Sequence, residues 1–427
     1  MKEVKLSTQP YKGTQDYYPE DMFKRDYLFN IWRSTAKEFS YQEYDTPILE
    51  NAEIYRAKSG DELANTQLYN FVDKGGREVA IRPEMTPSLA RIIAAKYQQL
   101  PKPIRWFSID KFYRYEKPQR GRSREFFQLN IDIFGIETIE AEIEIFQYIN
   151  QVMEKLNAPK ESWRVYVNNR LLMDYVFKKI LKLSDEQIPK VARAIDNYTK
   201  VNKDEYPNYL EQVGLDKLQV VKLLDFLEKD ITSIEALASE SQGATQLVKL
   251  FKLCKELDLD NFEFKPYIMR GITYYTGTVI EMFDVGGDKN PRAMFGGGRY
   301  DDLLEIFGKD KLPAFGIGWG NVTMMDYLET YDLLPKYNEE VDVFVSTTSE
   351  NEFSKSSQIA QALRAIGLKT EQQLKVDSLK KQLSLASKKG VRYVAFKGEK
   401  EWVVKDMRDG IQKEVSIETI ADYFKGL

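Results

Sequence analysis

Four side chains in the stretch 111–135, which reads KFYRYEKPQRGRSREFFQLNIDIFG, have the types and spacing to recognise an anionic, hydrogen-bonding ligand. They are Arg114, Glu116, Gln128 and Asp132. A guanidinium and carboxylates make short, charge-assisted hydrogen bonds, and an amide adds a neutral donor and acceptor. Two runs of alternating polarity flank a basic loop, the pattern of a β-hairpin. In the first run Asp110, Phe112, Arg114 and Glu116 share one face, with Ile109, Tyr113 and Tyr115 opposite. In the second, Gln128, Asn130 and Asp132 share a face, and Phe127, Leu129, Ile131 and Ile133 form the other. Period-two geometry brings the four polar side chains to one sheet surface. The loop between the runs carries Lys117, Arg120, Arg122 and Arg124, with Pro118 and Gly121 shaping the turn. On these residues alone, a hairpin with a solvated polar face fits equally well.

Four more stretches bear on the chemistry. EVAIRPEMTPSLARIIAAKYQ (78–98) reads as strand, turn and helix, with Glu84 and Thr86 at the junction. A carboxylate there suits an ammonium group, whereas Thr86 could simply cap the helix. MRGITYYTGTVIEMFD (269–284) holds Arg270 and the pair Tyr274 and Tyr275, of which one is expected to be core. Gly296 to Gly298 would let backbone lie close to a flat ligand or form a bulge, and Gly316, Gly318 and Gly320 leave one strand face bare. That GxGxG lacks the upstream βαβ unit of a dinucleotide fold.

A chain of 427 residues implies two or three domains. No apolar run approaches the roughly 18 residues that span a bilayer, and the first twenty residues lack the apolar core of a signal peptide. The expected compartment is the cytoplasm. The single cysteine, Cys254, rules out an internal disulfide. With a net charge of −4, any nucleic acid must be met by local basic patches. There is no histidine, which excludes Ser-His-Asp catalysis and imidazole acid–base chemistry. Catalysis must then use arginine, carboxylates, tyrosine, backbone dipoles or an oxygen-held metal.

Several elements must position these groups. Helices are expected over 20–40 and 138–156, the latter with Ile139, Ile143, Phe146, Met153 and Leu156 at helical spacing. From about 171 to 260 the texture is helical and rich in leucine and lysine. Residues 329–340 read as a linker, and the segments after it alternate as βαβαβ, followed by two short strands and a helix. Lys380, Lys381, Lys388 and Lys389 could meet phosphates there or form a solvated surface.

FYRYEKPQRGRSREFFQ resembles motif 2 of the class II aminoacyl-tRNA synthetases, in the form found in the histidyl-tRNA synthetase family. IRPEMTPSLAR, MRGITYYTGTVIEMFD, FGGGRYDDL and the C-terminal layout agree with that family, so the resemblance spans nearly the whole chain. It implies an α+β fold: a class II antiparallel sheet flanked by helices (1–170 and 260–328), a helical insertion (171–259), a linker (329–338) and a C-terminal α/β anticodon-binding domain (339–427). The implied activity is ligation of histidine to tRNA(His) through histidyl-adenylate, with ATP, Mg2+ on its phosphates, and a homodimer formed through the 41–51 segment. By the same resemblance Arg114 and Arg270 are catalytic, the first on the α-phosphate and the second between it and the substrate carboxylate. Glu116 takes the adenine amino group and Arg122 the outer phosphates. Glu84 and Thr86 hold the α-amino group, Gln128 faces the substrate, and Asp132 and Tyr275, beside Tyr274, bracket the imidazole nitrogens. Gln119 and Arg124 touch the tRNA acceptor end. In class II enzymes motif 3 ends in Glu-Arg, where this chain has Val322 and Thr323. That departure suits the alternative of a non-catalytic paralogue sensing histidine as a regulatory subunit, which would lack the anticodon-binding module.

Overall fold

A computed structural model describes residues 6–57, 66–237, 239–269, 274–286, 290, 292–337 and 341–426. The chain forms two compact units, Met1–Pro335 and Lys336–Leu427. In the first, the strands in chain order are β1 (Gln42–Glu43), β2 (Leu49–Asn51), β3 (Tyr69–Val72), β4 (Glu78–Ile81), β5 (Ile104–Tyr113), β6 (Glu125–Phe134), β7 (Trp163–Asn169), β8 (Phe262–Phe264), β9 (Thr278–Asp284), β10 (Phe295–Arg299) and β11 (Ala314–Gly320). Eight of them build one sheet in the order β1-β5-β6-β11-β10-β9-β7-β8, while β2, β4 and β3 form a small separate sheet. Pairing is antiparallel except for the β1–β5 and β7–β8 pairs at the edges.

The expected hairpin is β5–β6, ten residues a side, with Asp110 opposite Gln128 and Trp106 opposite Asp132. Its alternation sets the layers of the fold. Leu129, Ile131 and Ile133 point to the back and are fully or almost fully buried. There they join Leu28 and Trp32 of the helix Pro19–Glu38 and Phe146 and Ile149 of the helix Glu140–Lys155. The Tyr148 hydroxyl ties the two helices by donating to the Trp32 carbonyl at 3.0 Å. On the front, Phe112 and Phe134 pack with Leu89 and Ile93 of the helix Thr86–Ala95, which covers one end of the sheet and leaves the rest open.

Gly296–Gly298 lie in regular register with β9 on one side and β11 on the other, so there is no bulge. The Arg299–Tyr300 dipeptide then divides across the sheet. Arg299 turns to the back, where its guanidinium meets the fully buried Glu142 with Nε–Oε1 at 2.8 Å and also donates to the Ile136 and Thr138 carbonyls, each at 2.9 Å. Every face of that cation is therefore used.

Residues 170–237 and 239–256 hold a series of helices whose apolar faces, with Val191, Leu210, Leu223 and Leu247, continue the back-face core. Asp216, Asp230 and Ser241 cap three of them through side-chain acceptors. The helix Asn321–Thr330 runs two residues into the stretch expected to be a linker. The second unit is a five-stranded sheet, with β12 (Val343–Val345), β13 (Thr370–Gln372), β14 (Tyr393–Lys397), β15 (Trp402–Asp406) and β16 (Gln412–Val415) in the order β13-β12-β14-β15-β16. Its first three strands are parallel and its last two antiparallel, as the βαβαβ pattern with two further strands requires.

Removing one partner of a buried ion pair strands the other charge. Glu142→Ala should therefore destabilise the protein by about 3–5 kcal/mol. Urea unfolding measures it, and a loss below about 1 kcal/mol, the scale of an exposed pair, would contradict the buried-pair reading.

Candidate functional site

The open front of the sheet, the hairpin loop and the start of the helix Asn321–Thr330 enclose a cleft of about 810 Å³. Nine of the twelve residues singled out from sequence line it: Glu84, Thr86, Arg114, Glu116, Arg122, Gln128, Asp132, Tyr274 and Tyr275. Arg270 lies outside the described residues. Gln119 and Arg124 do not line the cleft.

The floor is shaped by missing side chains. In register, β11 sets Gly316 against Asp132 and Gly320 against Gln128, with Gly318 between them against Asn130. A Cβ on Gly316 would fall 1.9 Å from an Asp132 carboxylate oxygen, and one on Gly318 would fall 2.3 Å from the Gln128 amide nitrogen. Asp132 and Gln128 thus lie across the neighbouring strand, in space that only glycine leaves. Gly298 on β10 does the same for Tyr275, whose ring would be 2.7 Å from an added Cβ.

At the deep end two carboxylates sit among three tyrosines. Tyr274 packs edge-on to Tyr275 at 5.0 Å and to Tyr300 at 5.8 Å, and all three are buried. The Tyr274 hydroxyl donates to Glu84 at 3.4 Å. The Tyr300 hydroxyl donates to Asp132 in a very short hydrogen bond. Both tyrosines of the 274–275 pair line the cleft, and both also pack in the buried cluster with Phe112 and Phe134, so the expected core role and the cleft role coincide. Tyr300 is a member that sequence reasoning missed, and Asn130, placed on the polar face with Gln128 and Asp132, was given no role. Tyr300 follows Gly296 and Gly298 at period two, a signal that would have placed it on the ligand face. Thr86 opens its helix as the first helical residue, behind Met85 as N-cap, and no side chain caps that helix.

At the outer end the loop supplies cations. Arg114 donates from Nε to the Pro83 carbonyl at 3.0 Å and lies 5.1 Å over the ring of Phe126. Arg122 pairs with Glu116 at 3.2 Å. Arg124 is used to hold the loop: it donates to the Glu116 carbonyl at 3.0 Å and to the Tyr11 hydroxyl at 2.9 Å, and stacks 4.3 Å over Tyr115. Two backbone N–H groups, of Arg124 and Glu125, donate to the Gly13 carbonyl and fix the loop's return strand. Among the described residues no three of Asp, Glu, Cys and His converge to hold a metal ion.

Burial pushes the Asp132 carboxyl up to about 7, with the Tyr300 hydroxyl pulling the other way. Tyr300 itself is pushed well above the usual phenol range, first by burial and then by the charge of Asp132. A carboxyl whose folded pKa is raised costs stability as it ionises. The cost is absent below the unfolded value near 4, grows as pH rises, and is complete above about 7. Asp132→Asn removes it. The variant should melt close to the parent near pH 4, rise above it progressively from there, and exceed it at pH 8 by up to about 4 kcal/mol. Thermal melts across pH 4–8 check this, and a difference independent of pH would contradict the buried-carboxyl assignment.

The histidyl-tRNA synthetase family model matches residues 13–319, and an anticodon-binding-domain model matches 342–427. The histidine–tRNA ligase of Leptospira biflexa is 40% identical over 94% of this chain and 92% of its own length. That of Pyrococcus furiosus is 34% identical over 97% and 98%. The crystal structure of histidyl-tRNA synthetase from Nostoc sp. PCC 7120 superposes with a TM-score of 0.82 at 23% identity, covering 99% of this chain and all of that one. On the matched span and these identities, the chain belongs to the histidyl-tRNA synthetase family.

Proposed function

We propose that the chain is a histidine–tRNA ligase, which joins histidine to ATP as histidyl-adenylate and passes the histidyl group to tRNA(His). The observation that carries this reading is the division of one cleft into a deep carboxylate–tyrosine end and an outer arginine end. Histidine has an ammonium and an imidazole for the first, and ATP has phosphates for the second.

In the reading, Glu84 and Thr86 hold the α-amino group, and Asp132 accepts an imidazole N–H while Tyr275 addresses the other nitrogen. Arg114 meets the α-phosphate beside the flat face that Phe126 offers to adenine. Glu116 takes the adenine amino group and Arg122 the outer phosphates, so ATP would part the pair these two make with each other. Arg270 completes the charge around the α-phosphorus, where attack by the histidine carboxylate builds negative charge that fixed cations stabilise. Mg2+ fits as an ion brought on the phosphate oxygens, since it keeps most of its waters and needs only one or two protein carboxylates. Gln119, exposed on the loop, and Arg124, at its base, are the acceptor-end candidates, and the second unit would receive the anticodon. That unit, matched over 342–427, also sets the histidine-sensing regulatory alternative aside. The reading carries with it a cytoplasmic place of action. No helix among the described residues is long and apolar enough to cross a membrane.

Histidine-dependent ATP–pyrophosphate exchange tests the activity, and a chain that binds histidine without exchange would support the sensor instead. Asp132→Asn should raise the KM for histidine far more than that for ATP, since a hydrogen bond to a charged group is worth about 1.5–3 kcal/mol. Equal effects on both substrates would count against the role.

A homodimer follows from the same reading. Ile48, Leu49, Phe71 and Val72 are exposed on or beside the small β2–β4–β3 sheet, an apolar group that a second copy would cover. Light scattering at micromolar concentration should give twice the chain mass, and a monomer would refute the assignment.

A further inference from the structure

Val322 and Thr323 stand at the outer end of the cleft, where neither can pair with an anion. A different arginine reaches that wall. Arg292 lines the same cleft, on the segment that leads into β10. Its Cδ would lie 2.9 Å from a Cβ on Gly121, and the Thr323 methyl would lie 3.2 Å from the same point. Arg292, Thr323 and the tip of the hairpin loop therefore meet at one place. Gly121 takes a φ of +76° there, which together with this crowding excludes larger residues.

The surroundings of Arg292 are poor for a cation that serves only the fold. Its Nε donates to the Arg120 carbonyl at 3.2 Å, and its terminal nitrogens bond nothing among the described residues. It is half-buried, and its charge is disfavoured first by desolvation and then by Arg122 beside it. Glu116 is near enough to relieve this in part, but already pairs with Arg122. Two guanidinium groups drawn together over one carboxylate lack negative charge, and a polyphosphate supplies it. Arg120, by contrast, is neutralised by Asp326 at 3.0 Å, which also accepts from Asn290 at 2.9 Å. That network holds the loop tip against the helix Asn321–Thr330 and sets Arg292 in place.

We propose that Arg292 binds the outer phosphates of ATP together with Arg122, supplying from the segment before β10 the cation that Thr323 cannot. The proposal rests on the ligase reading for the identity of the nucleotide. It makes Arg292 a group that discriminates ATP and pyrophosphate from AMP, since AMP ends at the phosphate facing Arg114.

Calorimetry on the full chain with Mg-ATP, inorganic pyrophosphate and AMP tests it. Arg292→Ala should weaken ATP and pyrophosphate by about tenfold or more, the loss expected for a hydrogen-bonded charge, and leave AMP unchanged. Arg292→Gln retains a donor for the Arg120 carbonyl and should lose ATP affinity all the same, which separates phosphate binding from support of the loop. Thr323→Arg placed in the Arg292→Ala background should restore ATP and pyrophosphate binding. An equal loss for AMP and ATP, or rescue of ATP binding by glutamine, would make Arg292 a positioning residue and overturn the proposal. Parent-like ATP affinity in Arg292→Ala would overturn it as well, with the parent's exchange activity leaving the ligase reading intact. A parent chain that binds neither ATP nor pyrophosphate would overturn both.

Discussion

Two polar side chains can lie flat across a neighbouring β-strand only where that strand has no Cβ. Gly316 and Gly318 provide that opening for Asp132 and Gln128, and most of the site depends on it. On an ordinary antiparallel face, side chains stand roughly perpendicular to the sheet and compete with their cross-strand partners. Replacing those partners with glycine turns a crowded surface into a floor on which polar groups can spread. The cost is real, because glycine weakens a strand through chain entropy and lost packing. It is offset on the reverse of the same strands, where Phe315, Ile317 and Trp319 are buried in the core. Period two thus lets one strand be empty toward the cleft and densely packed behind it.

The same division governs charge. On the back of β10, Arg299 finds a carboxylate and two carbonyls, which accept from all three of its nitrogens. On the front, the next residue, Tyr300, donates a hydrogen bond to Asp132, a carboxyl that pairs with no cation among the described residues. The back is built for neutrality and the front is left with unmet demand. That contrast separates a buried group serving the fold from one held ready for a ligand. Asp132 is costly to the empty protein in its ionised form, and the same ionised form is what an imidazole N–H would bind. Stability and recognition pull in opposite directions at this residue.

Much of this was legible in the sequence because the decisive patterns were local. Alternation across 104–134 fixes which side chains of the hairpin share a face, and that pattern needs no knowledge of partners. The bare face of β11 could be read in the same way. What could not be read was register. Nothing in PAFGIGWGN states that Gly316 lies beside Asp132, because the two are paired by a strand contact between segments far apart in the chain. Tyr300 was hidden by the glycines before it, which drew attention to backbone approach and away from the next side chain at period two. Arg124 read as a basic loop residue that the resemblance assigns to the tRNA acceptor end, but aromatic neighbours at Tyr11 and Tyr115 make it an anchor of the loop. Arg292 carried no local signal whatever. Its place follows from contact with the loop tip at Arg120, 172 residues away in sequence, which is itself tied to Asp326 on the helix Asn321–Thr330.

The absence of histidine gives the electrostatics an unusual simplicity. In most proteins the near-neutral range belongs to imidazole, and a pH profile mixes several such groups. Here there is no imidazole, and burial moves the Asp132 carboxyl into that range. Asp132 moves into that range because the tyrosines around it exclude water and carry little charge of their own. Tyr300 stabilises the ionised form with one hydrogen bond, which is not enough to cancel burial where no cation among the described residues pairs with the carboxyl. The amino acid proposed as substrate would bring the missing imidazole with it. Its ring would then be the partner for which this carboxyl is otherwise poorly accommodated, and a proton shared between the two would titrate as a property of the pair.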